Sequence, residues 1–314
     1  MGELSTKDKK ILASIEFDAR KTISRIAKEV NLSKEVTNYH LHNLESRKLI
    51  SRYGTIFNLF NMGKDYYYLF LKINNLQKIK SDILIELKKI ERMTKYDFLE
   101  GNFNLCLTLY SNSCYDLIKE VYPFINQFGK YITRKEVYPI TDIFIKKCNF
   151  LYNSSEEMEY VHIKRTNLCP FSDLEKNISE EIAKNPKIHL NELKTLVKVD
   201  IKTLKKYILQ LHQKKIIEFY RTYLDLRQLG YQKLLIFLYL YDFSNERRTL
   251  IENLLMQNNI SSINICFGNA DLLIDIHIKN VNEIYGLMSN LMNEFPEIVK
   301  DFEIFAVNES EYLK

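Results

Sequence analysis

An α+β chain built twice over is predicted by two observations. The 314 residues align with themselves at an offset of 167 without a gap, so that Leu44 meets Leu211, Ile50 meets Ile217, Thr55 meets Thr222 and Gly63 meets Gly230. Within each copy a helical spacing of apolar and charged residues then gives way to the period of two that strands show. Internal duplication keeps chemical class rather than identity, as "GNFNLCLTL" against "GNADLLIDI" illustrates.

The first copy opens with helical patterns over 7–18 and 22–30, followed by "SKEVTNYHLHNLESRKLI" from Ser33. Ser33 is a capping residue, and Thr37, Leu41 and Leu44 fall on one helix face. Only the turn "VNL" separates the second and third helices, which is the spacing of a helix-turn-helix. "ISRYGTIFNLF" alternates around Gly54 and predicts a small hairpin, the wing of a winged helix-turn-helix. The copy repeats this over 174–185, 189–197, 200–213 and "IEFYRTYLDL".

Next, a strand over Tyr67–Ile73, a helix over 76–91, strands at Thr94–Leu99 and Leu105–Tyr110, a helix at Tyr115–Phe128 and one or two strands through Ile132–Ile145 give the order β-α-β-β-α-β. The copy places the same order from Leu234 to Phe305. One helical layer on one sheet face is the ferredoxin-like arrangement. The predicted division is therefore a winged helix-turn-helix domain at 1–62, a ferredoxin-like domain at 63–150, a linker at 151–171, and a second pair at 172–229 and 230–314. The linker carries a candidate short strand in "MEYVHI".

Composition narrows the function classes. Lys+Arg exceed Asp+Glu by 45 to 40, and the excess is concentrated in 1–60 (11 against 7) and 172–225 (11 against 8). Two basic patches suit a polyanion met in two places. Five scattered Cys without a CxxC predict reduced thiols in an intracellular protein and no metal site. The charged N-terminus predicts no signal peptide, and the run "YYYLFLKI" is too short to span a bilayer. A cytoplasmic protein without a membrane partner is expected.

A winged helix-turn-helix running into a βαββαβ module resembles the Lrp/AsnC family of transcriptional regulators. The resemblance rests on Ala27 in the second helix, the capping Ser33, Leu44-Glu45 and Ile50 before the wing, and the "GNFNLCLTLY" and "GNADLLIDIH" strands, which are similar to the family's Gly-x-x-Asp motif. Asp271 keeps the acidic residue and Asn104 replaces it. The chain departs in being duplicated, and Lys48 and Lys215 stand where the family usually has Gly. The resemblance implies double-stranded DNA as partner and pairing through the sheets, within one chain or between chains as a homo-oligomer. It also implies an amino acid or other small effector near Gly101, Asn102, Asn104, Gly268, Asn269 and Asp271. Turn-forming glycines with capping Asn and Asp account for the same pattern.

On the third helix, Lys34, Glu35, Asn38, Tyr39 and His42 form the outward face. Asn38 is the candidate for a base edge, because a carboxamide pairs bidentately with adenine. Lys34, Arg47 and Arg52 are candidates for phosphates, and Glu35 for cytosine. In the copy the outward face holds Lys202, Lys205 and Lys206 with no amide, between Ile201 and Leu209, which suits phosphates and little base discrimination. Specificity is therefore expected from the first head, and non-specific affinity or a protein contact from the second.

No catalytic constellation is predicted. His40 and His42 lie on different helix faces, and no HExxH, P-loop, GxSxG or Rossmann fingerprint occurs. Glu156 and Glu157 fall in the linker. Some relatives of this architecture are haem-pathway decarboxylases, but no Trp and no His-Cys-Tyr run of their kind is present. The expectation is a regulator that is not an enzyme and holds no cofactor. A scaffold with degenerate heads, contacting the transcription machinery, is the alternative.

Overall fold

The computed structural model describes residues 4–148, 159–241, 246–257 and 259–313. They form two compact units. One comprises the described residues within Met1–Met62, Lys147–Val161 and Thr166–Tyr231, and the other those within Gly63–Lys146, His162–Arg165 and Gln232–Lys314. The tandem order of the sequence is thus regrouped in space, heads with heads and sheet modules with sheet modules. Glu156 and Glu157, and part of the expected linker, lie outside the described residues.

In the head unit, α1 (Thr6–Ile15), α2 (Ile23–Val30) and α3 (Lys34–Ser46) close on Ile11, Leu12, Ile15, Ile26, Leu41, Leu44 and Leu49. The second head, α6 (Asp173–Lys184), α7 (Leu190–Val197) and α8 (Ile201–Gln213), closes on Ile178, Ile182, Leu193, Leu204, Leu211 and Ile216. Ser33 accepts the Val36 N–H at 3.2 Å, and Asp200 accepts that of Thr203 at 3.0 Å, so each third helix begins at a side-chain cap. Each ends with a residue in the left-handed region, Lys48 at φ 59° and Lys215 at φ 48°. The Leu49 N–H returns to Leu44 O and the Ile216 N–H to Leu211 O, closing the last turn. Lysine there carries strain that glycine would not. Lys48→Gly should raise stability by about 0.5–1 kcal/mol, since glycine's freedom in the unfolded chain takes back part of the relief. A urea midpoint no higher than that of the parent would contradict this.

The expected hairpin is not formed. Ile50–Phe57 is a single strand, β1, followed by a 3₁₀ turn at Leu59–Met62. Its partner is the equivalent strand of the other head, β7 (Ile217–Leu224), paired antiparallel with Gly54 opposite Arg221 and Thr55 opposite Tyr220. Gly54 marks a close approach rather than a turn: a Cβ there would lie 2.7 Å from the Tyr223 ring. The two-fold relation extends to individual atoms. Thr55 Oγ1 donates to Ile182 O at 3.1 Å and Thr222 Oγ1 to Ile15 O at 2.8 Å. The Asn58 N–H reaches Ile216 O at 2.9 Å and the Asp225 N–H reaches Leu49 O at 2.8 Å.

The second unit holds β2 (Asp65–Ile73), α4 (Leu76–Leu87), β3 (Met93–Glu100), β4 (Leu105–Ser111), α5 (Cys114–Phe128), β5 (Ile132–Lys146) and the short β6 (Tyr160–Lys164). Their counterparts are β8 (Gln232–Leu240), α9 (Glu246–Met256), β9 (Ile260–Cys266), β10 (Leu272–Ile278), α10 (Val281–Glu294) and β11 (Val299–Tyr312). Strand order is β2-β4-β3-β11-β8-β10-β9-β5-β6, and β2 also pairs with β5. The sheet therefore closes on itself, with β6 appended to β5. Each long last strand serves both halves: β5 pairs with β2 and then β9, and β11 with β8 and then β3. Sheet pairing is thus made within one chain.

Alternate strand residues divide the two faces. Leu69, Leu71, Leu105, Leu107 and Leu109 pack with Ile83, Leu87, Leu117 and Phe124 of the helices. On the second half Ile236, Leu238, Leu272, Ile274 and Ile276 pack with Leu250, Leu254, Ile284 and Leu291. The inner face carries the aromatic cluster Phe70, Phe103, Tyr138, Phe237 and Phe305, with Phe70 and Phe237 centroids 4.7 Å apart.

Candidate nucleic-acid interface

The third helix of the first head is anchored by Thr37, Leu41 and Leu44, all buried, with Thr37 Oγ1 also donating to Ser33 O at 2.8 Å. Their periodicity leaves the opposite face in solvent. Lys34, Glu35, Asn38, Tyr39, His42 and Arg47 are all exposed, Tyr39 to 68%. Amide, phenol, imidazole and cationic groups thus share the solvent side of the helix, and groups of these kinds are able to hydrogen-bond base edges and phosphates. Arg52 is placed differently. It is half-buried, and its guanidinium lies 4.9 Å from the centroid of the Tyr223 ring, against the ribbon that joins the heads.

Polar contacts hold this helix in its head. His40 Nδ1 lies 2.8 Å from Asp8 Oδ1, tying α3 to α1. Burial would raise the Asp8 carboxyl, but hydrogen bonds from Ser5 and His40 outweigh it and the pKa falls. Glu29, beside the turn, takes Lys21 at 2.7 Å, Ser14 at 2.7 Å and Arg25 at 3.1 Å. The Lys21 and Ser14 bonds lead in lowering its pKa from 4.5 to about 2. Because the folded pKa is depressed, this contribution to stability is fully present above about pH 4.5 and disappears as pH falls toward 2. Glu29→Gln should flatten the acid limb of the melting curve in that window and leave the curve above pH 6 merely displaced. An unchanged acid limb would contradict the assignment.

The second head presents Lys202, Lys205 and Lys206, all exposed, over the buried anchors Leu204 and Leu211. Leu209 is 57% exposed, at the position of His42, while Ile201 is half-buried. Lys214 is committed to Glu175 at 2.5 Å and Pro170 O at 3.1 Å. The residues that orient one head against the other escaped the sequence reading. Arg20 donates to Pro186 O at 2.9 Å and Ile188 O at 3.0 Å, and stacks 5.1 Å over Tyr220. Its counterpart Lys187 stacks 4.1 Å over Tyr53, whose hydroxyl donates to Glu45. Their offset of 167 was the available signal.

The residues proposed for an effector are engaged by the sheets. Asn104 Oδ1 accepts the Ile73 N–H at 2.8 Å and its amide donates to Ile73 O at 2.8 Å. Asp271 Oδ2 accepts the equivalent Leu240 N–H at 2.8 Å, and burial raises its pKa. The Gly-x-x-Asp position thus braces the end of its own neighbouring strand. Gly101, at φ 147°, lies against Phe305, and Gly268 lies against Tyr138. Asn102 donates to Glu303, and Asn269 bonds Glu136, so each loop grips the long strand of the other half. No group of three or more metal-ligating side chains, and no helix long and apolar enough to cross a membrane, occurs among the described residues.

The search of curated proteins finds no match. Among solved structures, the siroheme decarboxylase NirDL in co-complex with an iron-uroporphyrin III analogue is similar over 97% of this chain and 92% of that chain, at 12% identity and TM-score 0.64. At that identity the likeness speaks for the fold alone. A transcriptional regulator from Neisseria meningitidis in complex with L-Met is 15% identical over 45% of this chain and 92% of its own, TM-score 0.40. LrpC of B. subtilis is 17% identical over 46% of this chain and 100% of its own, TM-score 0.38. Residues 4–51, which span the three helices of the first head, match the family described as winged helix-turn-helix DNA-binding.

Proposed function

We propose that the protein is a sequence-specific, double-stranded DNA-binding transcriptional regulator of the cytoplasm, not an enzyme, in which one chain supplies both partners of a two-headed dimer. The observation that carries this reading is the exposed outward face of α3, repeated two-fold in α8 across the β1–β7 ribbon. The first head reads bases through Asn38 with Tyr39 and His42, while Lys34 and Arg47 hold phosphates. The second head contributes Lys202, Lys205 and Lys206 to the backbone of the adjoining duplex. Its exposed Leu209 adds no base discrimination of the hydrogen-bonding kind.

The two ferredoxin-like domains form the assembly module. An effector such as an amino acid, the ligand named for the Neisseria regulator, would enter at the 101–104 and 268–271 loops. It would do so by displacing the Asn102–Glu303 or Asn269–Glu136 bond, which couples occupancy to the grip of one half on the other.

Genome-wide capture of DNA bound to the full chain tests the reading. The expected result is a recurrent asymmetric motif, with affinity that falls steeply with salt. Binding to no duplex at low salt would overturn it and favour a scaffold. A tetrapyrrole absorbance band in the purified chain, with loss of a carboxylate from an added tetrapyrrole, would overturn the non-enzymatic part.

A further inference from the structure

The inner face of the closed sheet buries four charges that none of the foregoing uses. Lys95 and Asp97 of β3 pair at 2.7 Å, and Lys233 of β8 pairs with Asp275 of β10 at 2.7 Å. The two pairs belong to different halves and meet head to tail, with Lys233 also 4.0 Å from the other Asp97 oxygen. Lys95 and Asp97 are buried, and the Lys233 and Asp275 side chains are only 17% and 16% exposed. Burial alone would lower the Lys95 pKa, but Asp97, Tyr312 and Asp275 hold it well above its usual value. Burial would raise that of Asp275, but Lys233 and Lys95 hold it low. Each charge is thus stabilised from both halves.

Duplication makes this feature informative. At an offset of 167 the positions of Lys95 and Asp97 become Ser262 and Asn264, and those of Lys233 and Asp275 become Tyr66 and Thr108. The two edge-to-edge joints have diverged to match. At β3–β11, Asp97 faces Ser310, whose hydroxyl donates to it, and Lys95 faces Tyr312. At β5–β9, Asn264 faces Ile143 and Ser262 faces Ile145. If two first halves paired, Asp97 would face Ile143 and meet Tyr66 where Lys233 now stands. A buried carboxylate would lose both its hydroxyl donor and its second cation, which is strongly unfavourable.

We infer that the Lys95–Asp97 and Lys233–Asp275 pairs are a pairing key: they make the first half accept the second half and reject the same half of another copy. The partner surface on each sheet is complementary to its counterpart and not to itself, unlike that of a symmetric dimer. The inference goes beyond the regulatory reading and holds or fails whether or not the heads bind DNA.

Two full-length variants test it by mixing. Lys95→Asp with Asp97→Lys inverts the first pair, and Lys233→Asp with Asp275→Lys inverts the second. Each chain alone sets like charges against like and should melt below the parent. All four changes in one chain should recover most of the loss. The two singly inverted chains are mismatched within themselves but matched to each other. Unfolded and refolded together, they should give a species of twice the 37.4 kDa of one chain that neither gives alone. Single inversions that melt with the parent, or a four-fold chain no better than the two-fold ones, overturn the key, as does the absence of the two-chain species.

If the inverted chains do not fold, the residues of the opposite copy supply a milder variant, with Lys95→Ser, Asp97→Asn, Lys233→Tyr and Asp275→Thr together. Refolded at high concentration with a differently tagged copy of itself, it should form mixed assemblies several-fold more than the parent does. Equal levels overturn the inference.

Discussion

Alanine at Asn38 is expected to leave binding to arbitrary duplex nearly intact while removing about 1–3 kcal/mol of preference for the captured motif, the worth of one good bidentate base contact. Asn38 is exposed on α3, and the buried Thr37 and Leu41 beside it hold the helix in place without it. Lys205→Ala with Lys206→Ala should do the opposite, weakening binding to all sequences alike. Each phosphate left without its lysine takes about 0.9 from the slope of log affinity against log salt, so the double variant should flatten it by about 1.8. Anisotropy titrations of motif and scrambled duplexes at several salt concentrations separate the two effects. Equal loss of discrimination from both variants would overturn the division of labour between the heads.

The other large effect is on stability. Leu44 is fully buried where α1, α2 and α3 meet, and Leu211 occupies the same place in the second head. Leu44→Ala leaves a cavity that a small three-helix core collapses around poorly, for a loss of about 3–5 kcal/mol. The cost spreads to the other head, because β1 begins directly after the buried Leu49 and is paired along its length with β7. Urea unfolding should show one lowered midpoint for both heads. A loss under about 1 kcal/mol, or a second head that melts as before, would contradict this coupling.

Much of the architecture could be read from local pattern. Capping Ser33 and the run Thr37, Leu41, Leu44 locate α3 and fix which side chains face out, since helix geometry alone relates those positions. The 167-residue offset sets Lys48 opposite Lys215, and both adopt the left-handed conformation. The hairpin expected at Gly54 is absent for a definite reason. Period-two alternation shows that a segment is a strand but carries nothing about which strand it pairs with. A glycine within it marks a turn or a close approach equally well, and here the Tyr223 ring supplies the close approach. Arg52 is a phosphate candidate in sequence, and only the fold shows its guanidinium against the Tyr223 ring, a neighbour 171 positions away.

By itself, then, the sequence determined that the chain is a duplicated α+β protein whose third helices each carry a polar face. Those features depend on neighbours within a few residues and on the repeat. Only the tertiary structure decided that the halves close on each other within one chain, head strand to head strand and sheet edge to sheet edge. It alone brought Lys95 and Asp97 to Lys233 and Asp275. Backbone hydrogen bonds are the same for any partner strand, so the choice rests on side chains that meet only after folding.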